Sequence, residues 1–380
     1  MYAWVSRLEG DTVIRFSDTG IGEAVKAMNT AIMARSTEGY ASAAYSVYQK
    51  AFAPLEHLLT KPELLIIPDG PLHTVNFETL LTKPGAKDFR DHLLLQRFAV
   101  AYLLSATTAV QFAAMARKNS KGVLAIAPGF TDQLKQEYLA GVKDSAVVDQ
   151  DYLRFVRQPF AERTAQTLGS MLSAQVLTGK AASEKGFREK ASEYGILHLG
   201  THAEMNASSP MYSRLVLTKD SSATAPDDDG YLHAYELYEL DLRAQLAVLT
   251  ACSTGSGKED AGEGVRSLGY AFAYAGCPSL VVSLWNIDEK VSADIIANFY
   301  ENLADGMPKH EALRKAKLDY LANAPEELAL PYFWAGLVLV GDVEPVLLSR
   351  KFPVWGWAAL GCAILLTLWG WRKWRTKQQA

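Results

Sequence analysis

Two side chains in this sequence stand where chemistry can be done. The apolar run YGILHLGT, residues 194–201, leads directly into His202, and the run QLAVLTA, 245–251, leads directly into Cys252. An imidazole close to a thiol can take its proton or stabilise the thiolate, and the thiolate is the species that attacks a carbonyl carbon. The loop after the cysteine, Ser253-Thr254-Gly255-Ser256-Gly257, is small and glycine-rich. Such a loop lets a substrate backbone come close and lets the Cys252 amide point at a developing oxyanion. Each residue taken singly reads as structural. A cysteine ending an apolar strand is commonly a small core hydrophobe, and a lone histidine is commonly a hydrogen-bonded scaffold residue. His198 competes as a base, but it falls inside its apolar run and reads as a buried neutral imidazole. The chemical reading comes from two strand ends that deliver complementary groups.

Strands must position these groups, because reactive groups in open α/β sheets collect beyond the carboxyl ends of the strands. Residues 1–20 alternate as a hairpin around Gly10-Asp11. Ile21 to about Leu59 has helical spacing, and ELLIIP, 63–68, reads as a short buried strand. Leu93–Leu104 is a further apolar run, and GVLAIAP, 122–128, another strand. The stretch from about 130 to 165 is weakly patterned and predicts a long surface excursion. Strand and helix then alternate: strand 174–177, helix 183–193, strand 194–201, strand 245–250, helix 264–275, strand 279–284, helix 291–304, helix 309–322 and strand 336–340. Strands that are apolar almost throughout, separated by helices, predict a mostly parallel sheet with helices on both faces.

Composition narrows the function. The chain has 380 residues and a formal net charge of −4, with no basic tract interleaved with aromatics. Nucleic-acid binding is therefore not expected. Cys252, Cys277 and Cys362 are too few and too scattered for a disulfide framework or a cysteine zinc site, so all three read as free thiols and neither metal nor cofactor is expected. The loop GSGK resembles a phosphate-binding loop only superficially. Cys252 stands where that pattern needs its first glycine, and Glu259 stands where it needs Ser or Thr.

The C-terminus predicts a membrane anchor. Phe352–Trp371 has no charged residue and has roughly the 20 residues a helix needs to cross a bilayer. Trp355, Trp357, Trp369, Trp371 and Trp374 flank it, and Arg372, Lys373, Arg375 and Lys377 follow. A single-pass membrane location is the expectation. Its orientation stays open: a basic tail belongs in the cytoplasm, yet the N-terminus shows no export signal. Either the chain is the C-terminal part of a longer protein or the segment inserts as a tail anchor.

The blocks ILHLGTHA, AVLTACSTGSG, EGVRSLGYAFAYAGCPSLVVSLWNID, FYENLADG and PYFWAGLVLVGD resemble the CHAT-domain family. These are caspase-like cysteine peptidases related to separase and usually found beside tetratricopeptide repeats. The resemblance runs collinearly from about residue 60, through IIPDGPLHTVNFETL, to Asp342. A His about 50 residues ahead of the Cys also matches the order described for caspase-type peptidases. The resemblance implies a caspase-like α/β fold and a catalytic His202–Cys252 dyad, with the Ala203 and Cys252 amides as the oxyanion hole. Ala203 replaces the glycine usual after the family's histidine. It keeps the amide but restricts the backbone.

The implied division is an N-terminal half over 1–120, which echoes a degenerate peptidase-like subdomain, a peptidase domain over 121–343, a linker over 344–351, the membrane segment 352–371 and a basic tail 372–380. Relatives that cut after a basic residue hold it with a pocket carboxylate. Asp288, Asp260 and Glu263 are the candidates, with Trp285 as a wall. The leading reading is a membrane-anchored endopeptidase acting on a protein substrate in regulated bacterial proteolysis, in defence or cell-death signalling. A repeat-containing regulatory partner, or a missing N-terminal region, goes with it. The alternatives are a non-catalytic membrane scaffold on the same fold and an acyl- or thioester-hydrolase using the same dyad.

Overall fold

The apolar runs become strands because side chains buried on both faces need a backbone that satisfies its own hydrogen bonds, and neighbouring strands supply the partners. The computed structural model describes residues 1–85, 89–114, 121–142, 148–206, 208–219, 228–250, 252, 253 and 261–350, with the backbone alone at 113, 114, 252, 253 and 261–267. In chain order the strands are β1 (Tyr2–Arg7), β2 (Gly10–Arg15), β3 (Glu63–Ile66), β4 (Ala99–Tyr102), β5 (Lys121–Ala127), β6 (Gln175–Thr178), β7 (Tyr194–Leu199), β8 (His202–Glu204), β9 (Arg214–Val216), β10 (Tyr231–His233), β11 (Leu246–Leu249), β12 (Cys252–Ser253), β13 (Ser279–Ser283) and β14 (Leu337–Gly341).

Eight of these strands form one sheet in the order β3-β4-β14-β13-β11-β7-β5-β6. Every pairing in it is parallel except β13 with β14. The mostly parallel α/β sheet with packed helices is thus observed as expected. β7, β11 and β13 are buried along their whole length. Four shorter strands form a second sheet, β10-β9-β8-β12, beyond the ends of β7 and β11. β1 and β2 pair as a separate hairpin, whose two-residue turn is Leu8-Glu9 rather than Gly10-Asp11.

The helices follow their apolar spacing. Ile21–Met33 buries Ile21, Ala24, Val25, Met28, Ala31 and Ile32. Glu289–Ala304 buries Val291, Ile295, Phe299 and Leu303 on one stripe, and the Asp288 carboxylate caps it by accepting from the Val291 amide at 2.9 Å. Such a cap satisfies one of the first-turn amides that no helical carbonyl can reach.

Three further expectations need correction. β3 is an edge strand with Leu65 half exposed, not a buried one, because only β4 covers it. Residues 130–165 are no surface excursion. They form the helices Asp132–Gly141, Gln150–Arg154 and Pro159–Met171, and Phe130, Tyr138, Tyr152 and Phe155 join Val216 and Tyr231 in a second apolar cluster. The single-pass membrane location is also overturned. Among the described residues no helix is long and apolar enough to cross a membrane. The longest, Glu289–Ala304, has 16 residues and carries Glu289, Lys290, Asp294 and Glu301. The segment 352–371 and the tail 372–380 lie outside the described residues.

Candidate active site

Strand register brings the histidine and the cysteine together. β7 and β11 are adjacent and parallel, with Leu199 opposite Leu249. Both chains continue for three residues into the small sheet, where β8 and β12 pair in parallel with His202 opposite Cys252. The offset between partners is the same in both sheets, so the two runs stay in step across the change of sheet. Thr201, directly before the histidine, donates its hydroxyl proton to the Val216 carbonyl of β9, which ties the bend to the neighbouring strand.

His202 is 3% exposed. Phe155 stacks on it with ring centres 5.1 Å apart and planes 28° apart, and Phe130 packs at 4.9 Å. Its Nε2 lies 2.8 Å from the Val156 carbonyl oxygen. A carbonyl can only accept, so Nε2 carries the proton, and in the neutral ring Nδ1 holds the lone pair. Nδ1 is buried and has no hydrogen-bond partner among the described residues. Burial holds the imidazole below its ordinary pKa, against a smaller upward pull from the Val156 carbonyl and Glu204, with Lys135 adding to the depression. The ring is therefore neutral at pH 7, with its basic nitrogen unspent.

Phe130 is placed at a conformational cost. It follows Pro128 and Gly129 at the carboxyl end of β5, and its φ is 48°, in the left-handed region that a bulky side chain rarely adopts. Gly129 has a φ of 81°, and a Cβ there would collide with the Glu162 carboxylate. The second apolar cluster is pinned at its far side by Asp149, which accepts from the Lys219 ammonium and the Tyr231 hydroxyl, both at 2.7 Å.

The other expected site residues fall differently. The Cys252 backbone is placed by β12, while its side chain is not among those described. Ala203 is buried next to His202, with Leu215 and Ser253 as its strand partners. Asp288 is the helix cap already described. Trp285 is half-buried and donates its indole N–H to the Tyr332 carbonyl at 3.0 Å. Glu263 lies in the Ala261–Tyr274 helix with its side chain outside the described set, and Asp260 lies outside the described residues. His198 is fully buried, neither ring nitrogen has a partner among the described residues, and burial depresses its pKa to about 4. Cys277 is a buried free thiol that donates to the Ser279 carbonyl at 3.3 Å, and burial pushes its pKa up to about 12. A thiol so placed is not a nucleophile.

Sequence reading missed Phe130, Phe155 and the Val156 carbonyl. One signal was available for Phe130: it sits beyond the carboxyl end of β5, which is the neighbour of β7 and ends at the same edge of the sheet.

Tetratricopeptide repeat protein 28 of Homo sapiens is 24% identical over 309 residues, covering 74% of this chain and 12% of that protein. Its Mus musculus counterpart is 24% identical over 217 residues, covering 48% of this chain and 8% of that protein. The chain thus spans only a small part of either relative. Among solved structures, the Arg-specific cysteine proteinase gingipain R (RgpB) aligns with a TM-score of 0.45 at 9% identity, over 87% of this chain and 76% of that one. The Saccharomyces cerevisiae separase–securin complex, at 3.0 Å resolution, aligns with a TM-score of 0.37 at 11% identity, over 69% of this chain and 14% of that one. Likeness at this level says nothing about the site. Residues 42–342 match the CHAT domain over most of the sequence, and the chain belongs to the CHAT domain family.

Proposed function

We propose that this chain is a cysteine endopeptidase in which Cys252 is the nucleophile and His202 is the general base. The observation that carries the reading is the strand register that sets His202 opposite Cys252, on a ring whose Nε2–H is held by Val156 and whose Nδ1 has no partner among the described residues. Nδ1 takes the thiol proton, and the thiolate attacks the scissile carbonyl carbon. The charge that develops on its oxygen is met by the amides of Ala203 and Cys252. The imidazolium returns its proton to the departing amine, leaving a thioester. Water, deprotonated by the same nitrogen, then hydrolyses the thioester and frees Cys252.

In this reading residues 121–343 are the peptidase unit, because they supply both strand ends, and 1–120 are a supporting, degenerate half. The resemblance to separase-related peptidases supports a cut after a basic residue. Asp260 and Glu263 are the better carboxylates for holding it, since Asp288 is engaged as a cap. The names of the curated relatives support a repeat-containing regulator, and the family resemblance supports a role in regulated bacterial proteolysis.

The burial of His202, 3% exposed, favours a second reading: a non-catalytic interaction domain whose histidine is a packed core residue. A peptide-library digest separates the two. The first reading expects cleavage that Cys252→Ala and His202→Ala abolish. No cleavage by the wild type, or cleavage unchanged in Cys252→Ala, supports the second. The residue before each cut reports the side-chain preference directly.

A further inference from the structure

The segment that holds His202 is fastened from a distance. Phe155 and Val156 supply the stacking ring and the acceptor carbonyl, and three residues later the chain enters the Pro159–Met171 helix. That helix has no cap of its own. Its N-cap residue, Gln158, makes no capping bond with its side chain, and the Gln158 Oε1 is buried without a partner among the described residues. The amides of Phe160 and Ala161 donate instead to one oxygen, the Oε1 of Glu289, at 2.8 and 3.0 Å. Glu289 lies in the first turn of the Glu289–Ala304 helix, next to the Asp288 cap. A carboxylate at a helix N-terminus is favourably placed, because it meets both the unpaired amides and the positive end of the helix dipole.

We infer that Glu289 is a positioning residue for His202, acting through the segment 155–161. Its carboxylate fixes where the Pro159–Met171 helix begins. The start of that helix fixes where the Val156 carbonyl and the Phe155 ring stand. Those two contacts fix the rotation of the imidazole and hence which nitrogen faces β12. Phe130, held from β5, packs against the same imidazole with ring centres 4.9 Å apart. The inference rests on the peptidase reading for its catalytic consequence, but the orientation of the ring can be measured without it.

The experiment uses the full chain as wild type, Glu289→Ala, Glu289→Gln and Glu289→Asp. The His202 imidazole is titrated by NMR, and cleavage of the best library peptide is followed against pH. In Glu289→Ala the segment loosens, water reaches the ring, and the His202 midpoint rises towards its ordinary value. Burial dominates that midpoint, with Glu204 and Lys135 the charged groups acting on it. The acid limb of the cleavage profile moves up with it, and kcat falls about 10-fold, as a small misplacement of a catalytic group would cause. Glu289→Gln keeps an oxygen that accepts from both amides and stays within about 2-fold of wild type. If Glu289→Ala does not fold, Glu289→Asp makes the same test, since it keeps the charge but falls one methylene short.

Unchanged titration and kcat in the Ala variant, or in Glu289→Asp where that stands in, overturn the inference. A Gln variant as impaired as the Ala variant also overturns it, because charge rather than anchoring would then be at work. A wild type that cleaves nothing while Glu289→Ala still shifts the titration sinks the peptidase reading and leaves the positioning role standing.

Discussion

The main core and the aromatic cluster beside His202 are built differently. In the main core β5, β7, β11 and β13 are neighbouring strands lined almost wholly by aliphatic side chains, and each covers the next along its length. In the cluster Phe130, Tyr138, Tyr152, Phe155, Val216 and Tyr231 come from separate loops, short helices and strands. They meet through ring contacts such as Phe130–Phe155 at 5.8 Å and Tyr138–Tyr152 at 5.3 Å. A sheet core is cooperative, because every strand completes its neighbours' hydrogen bonds. A cluster of rings from separate elements opens at lower cost. The candidate catalytic residue lies between the two, its backbone in a strand and its ring against Phe130 and Phe155 of the cluster. The comparison teaches that the sheet sets where His202 is, while the cluster sets how its ring is turned and how dry it is.

The largest expected effect belongs to the main core. Lys317 and Glu78 form an ion pair at essentially zero exposure, and the Lys317 ammonium also donates to the Leu337 carbonyl at 2.6 Å. Lys317→Ala strands the Glu78 carboxylate in the interior and should cost about 3–5 kcal/mol in a denaturant melt. Adding Glu78→Leu to Lys317→Met should recover most of that. If the single variant loses far less, the pair is not sealed within a cooperative core.

His198 gives the next effect. It lies on β7 with a folded pKa of about 4, below the ordinary 6.5 of the unfolded chain. The unfolded state therefore binds the proton first as pH falls. Stability is whole above pH 6.5, declines as pH drops towards 4, and below that has lost all that this group contributes, about 3 kcal/mol. His198→Leu should flatten this part of a stability–pH curve. An unchanged curve would mean that water reaches the β7 interior.

Phe155→Ala should cost a similar amount of global stability, about 3 kcal/mol at the low end for a buried phenylalanine. Its sharper effect is local. The His202 midpoint should rise, and amide exchange should speed up over 150–160 while β7 and β11 stay protected. Equal loss of protection in the strands would show that the two regions unfold as one unit.

How far the sequence could be read follows the same division. β5, β7, β11, β13 and β14 were legible because continuous apolar runs bounded by glycine and proline report a strand buried on both faces. The His202 and Cys252 positions were legible for the same reason, because each stands three residues past the end of such a run. Residues 130–165 were not, because Phe130, Tyr138, Tyr152 and Phe155 follow neither helical nor strand spacing and gain their burial from β9 and β10, far along the chain. β3 was misjudged because a run of apolar letters does not say whether a strand has one neighbour or two.

By itself the sequence determined the alternation of strand and helix, the parallel character of the sheet, and the order in which a histidine and a cysteine leave two strand ends, since these depend on local periodicity and on short-range turn chemistry. Tertiary structure alone decided that those strands are adjacent with His202 opposite Cys252, that Nε2 rather than Nδ1 is spent on a carbonyl, and that a glutamate 128 residues beyond Ala161 fastens the segment bearing that carbonyl. The physical reason is common to all three. Register, tautomer and anchoring are set by contacts between residues far apart in the chain, and only the folded chain brings those residues within hydrogen-bonding distance.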